Sequence, residues 1–381
     1  MDDNDLLIRT LRNIDYEEVS RETKDSLTEF QHRVETPFDT LQRFAGLHLQ
    51  IAMARVGIDL HIFEMINNNS PDLVTVGEIA EKNGASPELI ARILRYLTSV
   101  GIIEQRDDDA FGATKMTAVF ANKAYQGGIY HFFDTVGPIL QQLPEFLAET
   151  KYQDITDPTK TPLQRAFDTE LPGFIWFQNQ PERFGHFQRV MTVQRAGAPT
   201  WLEVFPFEQE LGDWHDKPVF VDVGGGFGHQ CQALKEAFPD LPGKIILEDL
   251  PQTLEHIPAI KGVEAVAQNF FEPQVIQGAK FYYLRNILHD WPDEKCIAIL
   301  KNLIPAMGQE SRILIDEMVV PAVGAHWQAT QLDLTMMAAL GSKERTKEQW
   351  YALLEAAGLK IERILPYTEP FKDSVIIAVP K

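Results

Sequence analysis

Several residues in this chain sit at spacings that could do chemistry. Asp222-Val223-Gly224-Gly225-Gly226-Phe227-Gly228 follows a short apolar run, Val219–Val223, and precedes a helical stretch, Gln230–Phe238, stopped by Pro239. Glycines there let backbone approach a ligand closely and turn tightly into a helix. The spacing is G-x-G-x-G with His229 next, so the third glycine of a dinucleotide fingerprint is misplaced. No lysine follows that would make a phosphate-binding P-loop. Glu248-Asp249 ends the next apolar run, where a carboxylate can hold ribose hydroxyls. His289-Asp290 lies just past Phe281–Leu284, at the rim where open α/β sheets bind ligands. A histidine there can serve as a general base, because its ordinary pKa is near 6.5. His131, in Tyr130-His131-Phe132-Phe133, is an isolated histidine among aromatics and reads as structural, with an extra acid or base as the alternative. No His/Cys/Asp cluster has metal-ligand spacing, so no metal is expected.

The elements that position these residues fall into two grammars. In 75–105, Thr75-Val76-Gly77-Glu78 fits a capping box and Ser86-Pro87-Glu88 an N-cap with proline at the first helical position. Leu89, Ile90, Ile93, Leu94, Leu97 and Val100 then recur at helical spacing, and Ile102-Ile103-Glu104 starts a strand after Gly101. That order is a winged helix, to be read either as DNA binding or as a structural or dimerisation module. Residues 1–35 are polar, with helix but little core, and 45–66 look like buried helix carrying Leu47, Leu49, Ile51, Ala52, Ala54 and Val56. Residues 128–205 are rich in aromatics and prolines and suit helices lining an apolar pocket. After about residue 215, strands (Val219–Val223, Ile245–Leu247, Phe281–Leu284, Ile313–Ile315) alternate with helices, which predicts a doubly wound parallel sheet in an α/β fold. Two β-like runs, Leu359–Leu365 and Ser374–Val379, close the chain. The expected domains are 1–125, a helical connector 126–205, and 206–381.

Composition narrows the function. The 381 residues carry 55 acidic against 35 basic side chains, a net charge of −20. That argues against nucleic acid, which needs basic surface, and against anionic membranes. The two cysteines, Cys231 and Cys296, cannot make a disulfide framework, so a reducing, cytoplasmic setting is expected. The acidic start, Met1-Asp2-Asp3-Asn4-Asp5, lacks the apolar stretch of a signal peptide. The amphipathic surface of residues 1–120 predicts a homodimer.

Five segments stand in the order and spacing of one family: Asp222–Gly228, Glu248-Asp249-Leu250-Pro251, His289-Asp290-Trp291-Pro292-Asp293-Glu294, Asp316-Glu317 and Gly341-Ser342-Lys343-Glu344-Arg345-Thr346. On these, the chain from about residue 45 onward resembles the caffeic-acid-type O-methyltransferases, most of all their fungal secondary-metabolism branch. The resemblance implies a winged-helix dimerisation domain and a Rossmann-like S-adenosylmethionine domain. It implies methyl transfer to an aromatic or enolic hydroxyl of an apolar small molecule. The family's catalytic histidine falls on His289 and its two orienting glutamates on Glu317 and Glu344. Its cofactor contacts fall on Asp222, Gly224, Gly225, Gly226, Asp249, Asn269 and Phe270, and on Arg285 in place of a lysine; Asn269 stands where an aspartate is usual. Phe187, Met191 and Met336, with Asp290 and His131, fall on the substrate side. Some fungal relatives of this fold act as pericyclases or dehydratases, which is the alternative reading.

Overall fold

The computed structural model describes residues 10–11, 19–195, 197–214, 217–255, 257–369 and 371–381. Thr75 and Glu78 form the expected capping box at the start of the helix Val76–Asn83, which ends at Gly84. Ser86 caps the next helix, Pro87–Ser99, with Pro87 in its first turn. That helix buries Ile90, Ile93, Leu94 and Leu97 on one face. Two antiparallel strands follow, β1 (Ile103–Asp107) and β2 (Ala110–Ala113), so the winged helix is formed. It lies in the first of two compact units, Met1–Ile129; the second is Tyr130–Lys381. The expected boundary at 125 and the separate connector 126–205 differ from this division. The helices Pro162–Phe167 and Gly173–Gln178 pack on the helix Trp327–Leu340, which ties that stretch to the second unit.

The N-terminal helices depart from expectation in one respect. The helix Pro37–Asp59 is opened by a Thr36/Asp39 capping box and buries only Ala54, Gly57 and Ile58. Leu47 and Leu49, read as buried, are 50% and 49% exposed, alongside Leu41 and Phe44. The apolar face is present in the sequence, but among the described residues of this unit nothing covers its first half. The helix Arg21–Val34 buries no residue, as a polar arm should.

The second unit is built on one sheet. The strands β3 (Pro218–Val223), β4 (Lys244–Asp249), β5 (Val263–Ala267), β6 (Phe281–Arg285), β7 (Arg312–Val320), β8 (Arg345–Thr346), β9 (Leu359–Pro366) and β10 (Asp373–Pro380) give the order β5-β4-β3-β6-β7-β10-β9, with β8 beside the end of β7. β5, β4, β3, β6 and β7 are parallel, and β10 is antiparallel to both β7 and β9. Val221, Val223, Ile246, Tyr282, Leu284, Ile313 and Ile315 fill one face, under the helices Asp293–Leu303 and Lys347–Ala357. Val219, Phe220, Ile245, Phe281, Tyr283 and Leu314 fill the other, against Trp201, Phe205 and Phe207. Strands buried on both faces read as unbroken apolar runs, which is why four of them were visible in sequence. No helix among the described residues is long and apolar enough to cross a membrane.

One core acid is exposed to its own desolvation. Glu248, at the end of β4, is fully buried; Gln274 Nε2 donates to one of its oxygens (2.8 Å) and the other has no partner. Burial pushes its pKa up from the ordinary 4.5 to about 7, against the Gln274 hydrogen bond. A carboxyl raised in the folded state destabilises the fold progressively as pH climbs from its unfolded value to its folded one. We therefore expect wild type to lose stability between pH 5 and pH 8, and Glu248→Gln to lose less. The difference should reach at most ~3 kcal/mol at one pKa unit per 1.36 kcal/mol. Thermal melts of both proteins across that range check it; parallel curves would refute it.

Candidate active site

His289 sits on a short 3-10 turn, Leu288–Asp290, just beyond β6. Its ring is gripped from one side: His289 Nδ1 lies 2.7 Å from Glu344 Oε1. An ionised carboxylate only accepts, so this contact puts the proton on Nδ1 and leaves Nε2 as the basic atom. Asp290 Oδ1 lies 3.4 Å from Nε2. Glu317 works differently from the expectation that both glutamates hold the ring. Its Oε1 accepts the backbone N–H groups of Ile287 (2.9 Å) and Leu288 (2.8 Å), so it fixes the turn rather than the imidazole. Glu344 is itself held by Asp333, whose Oδ1 accepts the Glu344 N–H at 2.9 Å. Sequence reading missed Asp333, because nothing local links it to a loop eleven residues away.

Charge balance dominates this cluster. Burial opposes the imidazolium of His289. The carboxylates of Glu344, Asp290 and Glu317 outweigh it and raise the pKa well above 6.5. Burial lifts Glu317 to about 7 and Asp290 to about 6, in each case against the pull of His289. One ligand-type atom from each of His289, Glu317 and Glu344 lies within 4.8 Å of the others, a cluster that no local sequence spacing could show. The three residues come from the ends of β6 and β7 and the loop before β8. The second oxygens of Glu317 and Glu344 have no hydrogen-bond partner.

The glycine loop lies at the end of β3. Gly224 has φ 70°, and a Cβ there would meet Ile287 Cδ1 at 2.8 Å and Phe270 Cε1 at 3.3 Å. At Gly225 a Cβ would lie 2.5 Å from Asp222 Cγ. The loop can therefore be built only with glycine at these positions. Asp222 is enclosed beneath it, 1% exposed, with the Cys231 thiol 3.6 Å away. Burial, reduced by that thiol contact, takes its pKa to about 7. It supports the loop and offers a ligand almost no surface. Asp249 is more open: Oδ2 accepts the Gly226 N–H (2.9 Å) and Oδ1 the Leu250 N–H (2.8 Å). A carboxylate has about four acceptor sites, so two remain. Asn269 Oδ1 accepts the Phe271 N–H (3.0 Å), and Phe270 packs edge-on to Trp291.

Arg285 ends β6 in a network that sequence reading missed. Its Nη1 donates to Asp316 Oδ2 (2.8 Å) and to the Tyr367 hydroxyl (3.1 Å). Tyr367 donates to Asp316 Oδ1 (2.7 Å), and Tyr283 to Asp316 Oδ2. Burial opposes the arginine charge, but Asp316 more than restores it.

The substrate-side residues belong to an aromatic wall. His131 has Phe132, Phe177 and Phe187 rings at centroid distances of 5.4, 5.8 and 5.4 Å. Burial, with His186 adding to it, lowers its pKa to about 4, and its Nδ1 has no partner. Phe187 packs against a cluster that includes Ala338. Met336 is half-buried on the same helix as Ala338, Trp327–Leu340, and Met191 is exposed at the end of the helix Pro181–Met191. The helix Trp327–Leu340 packs on both the His289 turn and the helix Gly173–Gln178. Phe174 of the latter stacks on Trp291, which lies edge-on to Phe271 at 4.8 Å.

Residues 210–360 match the O-methyltransferase domain and residues 43–123 the O-methyltransferase dimerisation domain. A demethylsterigmatocystin 6-O-methyltransferase of Aspergillus parasiticus is 43% identical over 363 residues, covering 95% of this chain and 93% of that protein. The chain belongs to the O-methyltransferase family. O-methyltransferase lepI of Aspergillus flavus is 42% identical over 363 residues, covering 93% of each chain. A solved structure described as a pericyclic reaction enzyme is 40% identical, with a TM-score of 0.92 over 99% of both chains. A solved complex of LepI with SAM has a TM-score of 0.91 at the same identity, over 99% of this chain and 98% of that one.

The raised pKa of His289 has a direct readout. Its midpoint, followed by nitrogen-15 imidazole NMR, should lie well above 6.5, because three carboxylates favour the charged ring. Glu344→Gln removes the nearest of them and should lower the midpoint by about one unit. A midpoint at or below 6.5 in the wild type would show that desolvation wins.

Proposed function

We propose that the protein transfers the methyl group of S-adenosylmethionine to a hydroxyl of an aromatic or enolic small molecule, with His289 as general base. The single observation that carries this reading is the His289 Nδ1–Glu344 contact of 2.7 Å, which makes Nε2, with Asp290 Oδ1 3.4 Å away, the atom that accepts a proton. When bound, the cofactor supplies an electrophilic methyl group on a sulfonium. Asp249, Asn269, Phe270 and Arg285, with the backbone of Gly224, Gly225 and Gly226, would hold it, and Asp222 supports that loop. His289 Nε2 takes the proton of the acceptor hydroxyl. Glu344 stabilises the imidazolium that forms, and Glu317 keeps the turn in place. A phenol ionises near pKa 10, so a histidine with raised basicity is better matched to it than an ordinary one. The neutral ring is scarce at neutral pH, so turnover should rise with pH up to the His289 midpoint.

The acceptor would sit against Phe187, Met191, Met336, Asp290 and His131. A neutral His131 with an unpartnered Nδ1 suits a polar group on a largely apolar ligand. Exposed Leu41, Phe44 and Leu47, within or beside the matched dimerisation domain, support a homodimer. Two buried, free thiols support a reducing, cytoplasmic setting. The likeness to a pericyclic reaction enzyme across 99% of the chain favours a second reading, rearrangement without methyl transfer.

Incubation with labelled S-adenosylmethionine and candidate metabolites, followed by mass spectrometry, separates the readings. A labelled methyl in product supports the first; isomerisation with no label supports the second. His289→Ala should lose roughly 10²–10⁴-fold in turnover while cofactor affinity holds. Asp249→Ala should do the reverse, weakening cofactor binding at least about tenfold by calorimetry, since each charge-assisted hydrogen bond contributes about 1.5–3 kcal/mol. Full methylation by the His289 variant would remove the base from this account. Light scattering should give twice the monomer mass at micromolar concentration; a monomer would argue against the dimer.

A further inference from the structure

The residue after Glu344 is a buried cation that the mechanism above does not use. Arg345 is fully buried, side chain included. Its Nη1 donates to the Leu288 carbonyl (2.9 Å) and its Nη2 to the Trp291 carbonyl (3.0 Å). These two carbonyls bracket the His289 turn. The outer edge of the guanidinium is anchored on Asp293 Oδ1, from Nε (3.0 Å) and Nη2 (2.7 Å). The Cys296 thiol donates to the same two carbonyls, at 3.1 and 3.2 Å. The Trp350 ring lies 5.3 Å from Cζ, across one face of the guanidinium.

The backbone places this group where it can matter. Arg345 begins β8, and its Cα pairs with Val319 of β7, two residues past Glu317. Glu317 therefore takes the N–H groups entering the turn, Arg345 the carbonyls at Leu288 and Trp291, and Glu344 the ring between them. All three hang from the β7–β8 pairing. Arginine suits this role because its planar fork presents five fixed donors, whereas lysine is a single mobile point charge. A surface role is excluded by burial, and a simple ion-pair role leaves the two carbonyl contacts unexplained.

We propose that Arg345 is a positioning residue: it sets the backbone of the His289 turn so that the ring meets Glu344, and the adjacent pair Glu344–Arg345 thereby aligns the base as one unit. The inference rests on His289 being the base, but its test includes a readout that needs no activity. In Arg345→Lys the turn loses the double carbonyl contact and the ring drifts from Glu344. The His289 midpoint by nitrogen-15 NMR should then fall by about one unit toward 6.5. Turnover should drop about tenfold or more, with cofactor affinity within about twofold, as expected when alignment rather than binding is lost. Asp293→Asn is the second variant, because Asp293 is half-exposed and its change weakens the outer anchor and a half-exposed pair with Lys343 Nζ (3.2 Å) while leaving both carbonyl contacts of Arg345 in place. It should shift both readouts in the same direction by less, and it decides the matter alone if Arg345→Lys does not fold. A wild-type midpoint and wild-type turnover per folded molecule, whatever the melting temperature, would overturn the proposal. If the protein rearranges its substrate and never methylates, the reading of function fails while the midpoint still reports on the clamp.

Discussion

A single ring–carboxylate contact organises the chemistry of this protein. His289 is buried, and a buried imidazole favours its neutral form unless negative charge faces it. Glu344 at 2.7 Å supplies that charge and fixes which nitrogen carries the proton. Everything nearby is arranged to keep the two together: Asp333 holds the Glu344 backbone, and Glu317 holds the N–H groups at the entrance to the turn. The arrangement requires three chain segments, distant in sequence, to converge on one sheet rim. A parallel sheet does this because its strands all end on the same side.

The same packing concentrates acid in the core. Asp222, Glu248, Asp290, Asp316 and Glu317 are all raised, each chiefly by burial. They differ in what meets them. Asp316 has an arginine and two tyrosine hydroxyls, whereas Glu248 has one glutamine amide and an orphaned oxygen. The first is a satisfied network and the second a local weakness in an otherwise apolar layer.

What could be read in the sequence was what is local. The capping box at Thr75 formed as its spacing predicted, as did the glycine turn after β3. β3, β4, β6 and β7 declared themselves as apolar runs, but β5, Val-Glu-Ala-Val-Ala, did not, because an edge strand with exposed residues carries no such run. Motif order located His289, Glu317 and Glu344, yet it could not divide their labour, since that depends on which oxygen meets which N–H. Arg345 and Asp333 were out of reach for the same reason. Leu47 and Leu49 look like core residues by type, and only the structure shows that the described residues of their own unit leave them uncovered.

The contact between Phe174 and Trp291 joins two parts of the chain with different freedoms. His289, Glu317 and Glu344 sit on β7 and on the short connections beside β6 and β8, held by hydrogen bonds to the sheet rim. The rings of residues 130–191 sit on short helices laid down before the sheet begins. Exchanging one of the phenylalanine rings there for another changes the shape of that wall without moving His289 or the carboxylates around it. Divergence within such a scaffold can therefore proceed by repainting the wall while the engine stays untouched, and a laboratory library aimed at new acceptors would be best confined to those helices.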